Sequence, residues 1–189
     1  MARKKMVTRE QILTAAHKIV RTKGLSSLTA RNIAEQVGCS TQPIYLEFEN
    51  MGDLRDVLFE EIYEYLEQEV YPIPHTGDPI VDLALNYINL AKEQPKLFSA
   101  LFVEKQYENR MLNFSYEYFM KILEKSEKYK DLNEDEVETL LNGTWVVATG
   151  VANLSASGTI KPTDDQKIQL MKDSISAMLS LDHKLKLSF

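Results

Sequence analysis

The sequence predicts an all-α protein of about nine helices, in which a three-helix N-terminal head precedes a larger helical bundle. Glycine and proline are scarce, at 7 and 6 of 189 residues, and they lie mostly between apolar stripes of helical period. Residues that cap helices stand directly before most of these stripes. No stretch alternates between apolar and polar residues as a half-buried strand does.

The first part of the chain shows a regular succession of helix starts and stops. Thr8 begins a capping box before the first apolar stripe, and Gly24 stands where that helix should end. Thr29 is placed to cap a second, short helix that Gly38 closes. Asn50 then opens a longer helix, so these signals predict a compact group of helices before it.

The stretch YPIPHTGDP, residues 71–79, holds three prolines and a glycine, and it interrupts the helical pattern. It predicts the boundary between two regions. We therefore expect an N-terminal head of residues 1–50, a connecting helix of residues 51–70 and a body of residues 71–189. The helices of the body are expected to begin near Asp78, Pro95, Arg110, Asn133 and Thr163.

A helix-turn-helix unit is predicted within the head from Ala34, Gly38 and Ile44. The alanine lets two helices approach closely, the glycine allows a left-handed turn, and the isoleucine locks the second helix onto the first. We expect Ser40 to cap the second helix and Pro43 to lie in its first turn, where no intrahelical hydrogen bond is lost. A plain helical hairpin would show the same spacing.

Charge is distributed unevenly along the chain. The net charge is −6, but residues 1–55 hold nine Lys and Arg against five Asp and Glu, whereas residues 56–189 hold thirteen against twenty-three. A basic head on an acidic body favours a polyanion as the partner of the head, although so small an excess also arises by chance.

The polar start of the second helix in the unit is suited to DNA. The first residues of such a helix face base edges in the major groove. Gln42 is able to bond adenine through two hydrogen bonds, and Thr41 to touch a thymine methyl group. Tyr45, one turn later, is placed to bond a phosphate. Together with the basic head, this start favours a DNA-binding function.

Three segments of the head resemble the DNA-binding domain of the TetR family of transcriptional regulators. They are TREQILTAAHKIVRTKG, LTARNIAEQVGCS and IYLEF, and the resemblance spans roughly residues 8–60. It implies a three-helix head and a helical body that dimerises and binds a small molecule. It also implies a set of residues that contact DNA, of which Lys4 and Lys5 form a flexible arm. They are Lys4, Lys5, Thr29, Arg31, Ser40, Thr41, Gln42 and Tyr45.

The head departs from this family in one respect. Family members commonly place a lysine where Met51 stands and use it on a phosphate, so its loss should reduce both the affinity and its salt dependence. Glu47 and Glu49 add repulsion near the same face. A helical protein–protein adaptor that keeps the head as a relic is therefore an alternative to the DNA-binding regulator.

The body is also similar in places to TetR-type effector domains that carry a Trp-His-Gly motif. The similar stretches are QPKLFSALF and WVVATGVANL. Trp145 and Gly150 match the motif, whereas Thr149 stands where its histidine would be, which weakens a ligand role at that position. On physical grounds we expect Gly150 and Ala152 to let a neighbouring helix approach closely.

Aromatic and methionine residues are dense in the middle helices, where they are able to line a pocket for an apolar or flat small molecule. For any one of these residues, however, a place in the core is the better expectation. The final helix offers a second apolar flank of Leu170, Ala177 and Leu181, which favours a homodimer through the last two helices over a helix buried in one monomer. The expected pocket residues are Tyr87, Phe98, Phe102, Tyr107, Met111, Phe114, Tyr118 and Trp145.

Nothing in the sequence supports catalysis, a cofactor or a metal site. The three histidines are scattered, and no phosphate-binding glycine loop or nucleophile elbow is present. The one cysteine, Cys39, suits a reducing compartment, and no apolar run is long enough to span a bilayer. We expect a cytoplasmic repressor that binds palindromic operator DNA and is released by a small molecule. An enzyme that processes small molecules is a third possibility.

Overall fold

The computed structural model describes residues 7–104, 108–181 and 185, without the side chains of residues 108 and 109. Within these residues there are nine α-helices and no strand, which confirms the all-α prediction. A 3₁₀ turn at Leu25–Ser27 follows the first helix, and a π-helical segment at Leu66–Val70 follows the fourth. The helices are α1 Arg9–Lys23, α2 Ala30–Val37, α3 Gln42–Glu47, α4 Met51–Tyr65, α5 Pro79–Glu93, α6 Pro95–Phe102, α7 Glu108–Glu124, α8 Glu134–Ala156 and α9 Asp164–Leu179.

The described residues form two compact units. One contains residues up to 65 together with residues 94–104, and the other contains residues 66–93 and the described residues from 108 onward. The predicted functional division into a head, a connecting helix and a body stays a prediction.

The first unit is built around α1. The Thr8 hydroxyl accepts from the Gln11 N–H at 3.3 Å, and the Gln11 side chain accepts from the Thr8 N–H at 3.1 Å, so the capping box is formed as predicted. One face of α1 is buried against α2, α3, α4 and α6. The helix ends at Gly24, whose φ of 86° favours glycine.

Helix α4 begins with a reciprocal cap that orients it in the first unit. The Asn50 side chain accepts from the N–H groups of Gly52 and Asp53, and the Asp53 carboxylate accepts from the N–H of Glu49. Leu54, Leu58 and Ile62, spaced along one face, are fully buried. The start predicted at Asn50 is therefore confirmed, and its apolar stripe closes the core of this unit.

The second unit has α5 at its centre, packed against α8 and α9. Asp78 caps α5, because its carboxylate accepts from the N–H groups of Ile80 and Val81, as the Asp78–Pro79 pair predicts. The same carboxylate accepts from the Lys128 ammonium and the Tyr129 hydroxyl. Burial opposes ionisation, but these donors outweigh it and lower the pKa of Asp78.

Helices α8 and α9 also begin with the predicted capping boxes, at Asn133 and Thr163. The close approach between them is at Gly143, where an added Cβ would collide with the thioether of Met178. At Gly150 no described atom of this chain lies within 4 Å of a Cβ built there, so the close approach within the described chain is not at that glycine. Ala152 is buried as expected.

Helix α8 also holds the backbone of Leu185. The Thr139 hydroxyl accepts from the Leu185 N–H at 3.1 Å, and the Asn142 side-chain amide donates to the Leu185 carbonyl at 3.0 Å. Both side chains on α8 are buried. They are thereby satisfied in a place where an unpaired polar group would be costly.

Candidate functional site

The turn between α2 and α3 has the geometry that the spacing of Ala34, Gly38 and Ile44 predicts. Gly38 lies in the left-handed region, with φ of 80° and ψ of 39°. Its N–H and that of Cys39 both donate to the Ala34 carbonyl at 2.9 Å, which closes α2. Ala34 and Ile44 are buried, so the two helices are packed together by small and branched apolar residues.

Helix α3 begins one residue later than the predicted cap at Ser40 implies. Its first residue is Gln42, and no side chain caps it. The backbone of Thr41 is nevertheless already helical, with φ of −75° and ψ of −17°, and its carbonyl accepts from the Ile44 N–H. Pro43 lies in the first turn, where it presets the backbone without loss of a hydrogen bond.

The structure places the predicted DNA-contacting residues of α2 and α3 at the surface. Thr29 and Arg31 are exposed at the start of α2, and the Thr29 hydroxyl also caps that helix at the Asn32 N–H. Lys4 and Lys5, the predicted arm, lie outside the described residues. Exposed around the short helix α3 are Ser40, Thr41, Gln42 and Tyr45.

Arg9 holds the end of α3, a role that the sequence reading missed. Its guanidinium donates to the Glu47 carbonyl at 2.8 Å and lies 4.2 Å from the centroid of the Phe48 ring, which is buried. A six-residue helix is too short to be stable alone, so this contact fixes where its side chains lie. The available signal was a cation in the first turn of α1, where the helix dipole disfavours it.

Leu46 was also missed, because the helical period does not distinguish an exposed leucine from a buried one. It is 77% exposed, more than any other large hydrophobic residue recorded as exposed in the described chain. Tyr45 beside it is 53% exposed. Glu47 and Glu49 are exposed close by, and Met51 begins α4. The surface of α3 therefore combines polar, apolar and acidic side chains.

The predicted pocket residues are divided between the two units. Phe98 and Phe102 belong to α6 in the first unit, where their ring centroids lie 5.0 Å apart. Tyr107 lies outside the described residues. The second unit contains the others, namely Tyr87, Met111, Phe114, Tyr118 and Trp145.

Tyr71 is the centre of an aromatic cluster in the second unit. Its ring centroid lies 5.0 Å from that of Tyr118 and 6.2 Å from that of Phe114. Burial, with Tyr87 and Tyr118 nearby, raises the pKa of the Tyr71 phenol far above its usual range. The sequence reading assigned Tyr71 to the boundary segment and missed this role, because the two rings that pack against it, Phe114 and Tyr118, are more than forty positions away.

Tyr87 joins the cluster to α8 through hydrogen bonds. Its hydroxyl lies 3.1 Å from the Thr149 hydroxyl, and the Trp145 indole N–H donates to the same phenol. Burial raises the pKa of Tyr87 in spite of these bonds. Thr149 therefore supplies a hydroxyl beside a buried phenol.

Apolar side chains are exposed on α8 and near α9, as the second flank of the last helix predicts. On α8 they are Val146 and Leu154, and on the final segment they are Leu170 and Leu181. Gly150 lies between the first two, next to open space. We call these four exposed residues the α8–α9 face.

Within the described part of the chain, no three His, Cys, Asp or Glu side chains are grouped so that they could hold a metal ion. The helices described here include none that combines the length and apolarity needed to cross a bilayer.

Residues 12–58 match the family model of the bacterial regulatory proteins of the tetR family. The match covers most of α1, all of α2 and α3, and the first half of α4. A comparison with curated protein sequences finds no significant match.

Solved structures share the fold at low sequence identity. A TetR-family protein from Vibrio parahaemolyticus is 18% identical, with a TM-score of 0.65 over 89% of this chain and 97% of the other. The transcriptional regulator FadR from Bacillus subtilis, solved in complex with stearoyl-CoA, is 17% identical, with a TM-score of 0.60 over 92% and 98%. FadR from Bacillus halodurans, a fatty acid degradation regulator, is 18% identical, with a TM-score of 0.56 over 96% and 100%.

Proposed function

We propose that this chain, whose residues 12–58 match the family model of the bacterial regulatory proteins of the tetR family, is a ligand-responsive transcriptional repressor of that family. In this proposal a homodimer binds palindromic operator DNA in the cytoplasm, and a small molecule releases it. The observation that carries the proposal is the set of exposed side chains around α3 in a helix-turn-helix unit of the expected geometry.

The DNA contacts follow from the chemistry of the exposed side chains. Gln42 bonds adenine through its amide, and Thr41 touches a base edge at the start of α3. The Tyr45 hydroxyl bonds a phosphate, and so do Thr29 and Arg31 at the start of α2. Ser40, Lys4 and Lys5 complete the contacts as a phosphate ligand and a basic arm.

A dimer is needed for useful affinity in this proposal. Glu47 and Glu49 are exposed near α3 and repel phosphates, and Met51 supplies no charge. Two linked heads bind far more tightly than one, because the second binding event is intramolecular. The α8–α9 face supports a homodimer, since its exposed leucines and valine would be buried against a second copy.

The effector proposed for the second unit is an apolar or aromatic small molecule. The support is the cluster of Tyr71, Tyr87, Phe114 and Tyr118, in which phenol and threonine hydroxyls accompany apolar ring surface. FadR from Bacillus subtilis binds stearoyl-CoA, so a long acyl chain is one candidate. The excess of acidic residues after residue 55 disfavours the phosphates of coenzyme A and favours an uncharged ligand.

Selection of bound duplexes from a random DNA pool, at two salt concentrations, tests the proposal. We expect one palindromic motif, bound more weakly at the higher salt because phosphate contacts release counterions. The palindrome reports the dimer. Adding an acyl-CoA, a fatty acid or an aromatic compound to the complex then tests whether an apolar ligand releases the DNA.

The variant Gln42→Ala, combined with Tyr45→Phe, should lose most binding to the selected motif and keep its thermal stability. A bidentate base contact is worth about 1–3 kcal/mol, whereas exposed substitutions change stability by about 0.5 kcal/mol or less. Gln68→Ala, at an exposed glutamine of the second unit, is the matched control. If no motif emerges from folded protein, the repressor proposal fails and a protein partner of the acidic body becomes the better hypothesis.

A further inference from the structure

Leu46 is a large apolar side chain held in water on a helix whose neighbouring surface residues are mostly polar. Leu46 is 77% exposed, whereas Ile44 on the same helix is only 1% exposed. An exposed leucine forgoes the free energy that burial would supply. If α3 faces DNA as proposed, an apolar group of the DNA that packs against Leu46 would recover part of that free energy.

The position of Leu46 along α3 directs it to the same partner as Gln42. The two residues are four positions apart, so their side chains lie on one face of the helix. Arg9 holds the carbonyl of Glu47, the next residue, and thereby fixes the end of the helix on which Leu46 stands. Leu46 is thus a positioned side chain.

We propose that Leu46 packs against the C5 methyl group of a thymine in the major groove and so selects a thymine in each operator half-site. The inference rests on the proposed operator binding. Among the four bases only thymine presents a methyl group in that groove, and apolar side chains recognise it by contact. The thymine lies close to the base pair that Gln42 reads, because one turn of helix separates the two side chains.

The surroundings favour DNA over a protein as the occupant. The apolar surface here consists of Leu46 and the ring of Tyr45, and exposed Thr41, Gln42 and Glu47 surround it. Protein interfaces bury larger continuous apolar patches. A single methyl group in a polar groove matches a single leucine among polar side chains.

Deoxyuridine provides the test, because it differs from thymidine only by the absence of the methyl group. The thymines of the selected operator are replaced by deoxyuridine one position at a time, in both half-sites together. Operator affinities are then measured for the wild-type protein and for Leu46→Ala. We expect one position at which deoxyuridine lowers the operator affinity of the wild-type protein about fourfold per half-site. This factor is equivalent to about 0.8 kcal/mol, the contribution of one buried methyl group. Leu46→Ala should be weaker on the thymine operator and indifferent to deoxyuridine at that position.

The converse substitution restores the methyl group on another base. Replacing that thymine by cytosine should weaken the wild-type protein, and 5-methylcytosine should recover part of the loss only when Leu46 is present. Val103→Ala, at a residue of the first unit that is 59% exposed and lies away from α3 in the chain, should retain the deoxyuridine effect. Circular dichroism of each variant establishes that the fold is kept.

Two results would overturn the inference. One is a wild-type protein that binds its operator equally well with deoxyuridine at every position. The other is a Leu46→Ala variant whose operator affinity is as sensitive to deoxyuridine as that of the wild-type protein. If that variant also loses a protein partner, the exposed leucine is a protein contact instead. Absence of any operator binding would instead reject the proposed function itself.

Discussion

Two tyrosines of this chain show how differently its two candidate sites are built. Tyr45 on α3 is 53% exposed, whereas Tyr71 in the aromatic cluster is 5% exposed. Tyr45 lies on α3, whose last residue is hydrogen-bonded by Arg9. Tyr71 is itself the residue around which the aromatic cluster packs. An exposed side chain such as Tyr45 can be changed at little cost to the stability of the fold, whereas a change to the buried Tyr71 also changes the packing of its unit.

The contrast is broken most directly by truncating both tyrosines. We expect Tyr71→Ala to lower the free energy of unfolding by about 3–5 kcal/mol, as for other large buried aromatic residues. Tyr45→Ala should lower it by about 0.5 kcal/mol or less. Urea unfolding followed by circular dichroism gives both values.

Tyr71→Phe is the milder companion if Tyr71→Ala does not fold. It keeps the ring and removes only the hydroxyl, which is hydrogen-bonded to Ser115, so a loss of about 1 kcal/mol is expected. Equal losses for Tyr45→Ala and Tyr71→Ala would show that the exposed surface of α3 is part of a packed core.

Asp78 sharpens the contrast, because it is a polar residue of the second unit with a purely structural place. Its folded-state pKa is lowered, so its contribution to stability is present above about pH 4 and is lost as the pH falls through the folded pKa. We expect Asp78→Asn to cost about 1–2 kcal/mol at pH 7 through the weakened cap and the lost partner of Lys128. The gap between the variant and the wild-type protein should narrow below pH 4 in urea unfolding experiments.

Asp131→Asn, at an exposed aspartate, is the control for that experiment and should show little difference at either pH. A gap between Asp78→Asn and the wild-type protein that is the same at pH 7 and pH 3 would contradict the assignment. The loss would then come from shape and not from charge.

The smallest expected effect concerns the edge of the surface proposed to contact DNA. Met51→Lys should add a phosphate contact at the start of α4 and steepen the dependence of log affinity on log salt by about 0.9 for each phosphate neutralised. Operator affinity measured between low and moderate salt gives this slope. Gln68→Lys adds the same charge at an exposed position of the second unit, and an equal change in its slope would mean that net charge alone is responsible.

The local elements of this fold were predictable because they depend on residues close together in the chain. Thr8, Asn133 and Thr163 form their capping boxes where the sequence places them. Gly38 adopts the left-handed conformation that the turn requires, and the polar residues of α3 are exposed. Each of these features is decided within about four residues.

The features that the sequence did not reveal depend on distant partners. Arg9 contacts Glu47 and Phe48, which lie nearly forty positions away in the chain. Tyr71 packs against Phe114 and Tyr118 of α7. Helix α6 packs against α1 although seventy residues separate them in the chain. Neither hydrophobic period nor capping carries information about such pairings.

The close approach of α9 at Gly143 was not predicted from the sequence for a related reason. Gly143 and Gly150 both lie on α8, and only the position of Met178 on α9 distinguishes them. A helical sequence indicates that a small residue permits close approach, and the partner helix decides which small residue is used.

The π-helical segment at Leu66–Val70 has a consequence for comparing this chain with other sequences. Its last turn closes with the Tyr71 N–H on the Leu66 carbonyl at 2.8 Å, a bond that spans five residues where an α-helix spans four. The chain therefore carries one residue more here than a regular helix of the same length. A gap-free alignment with a relative whose helix is regular would be out of step by one position after residue 70, and it would set Tyr71 opposite the neighbour of its true counterpart.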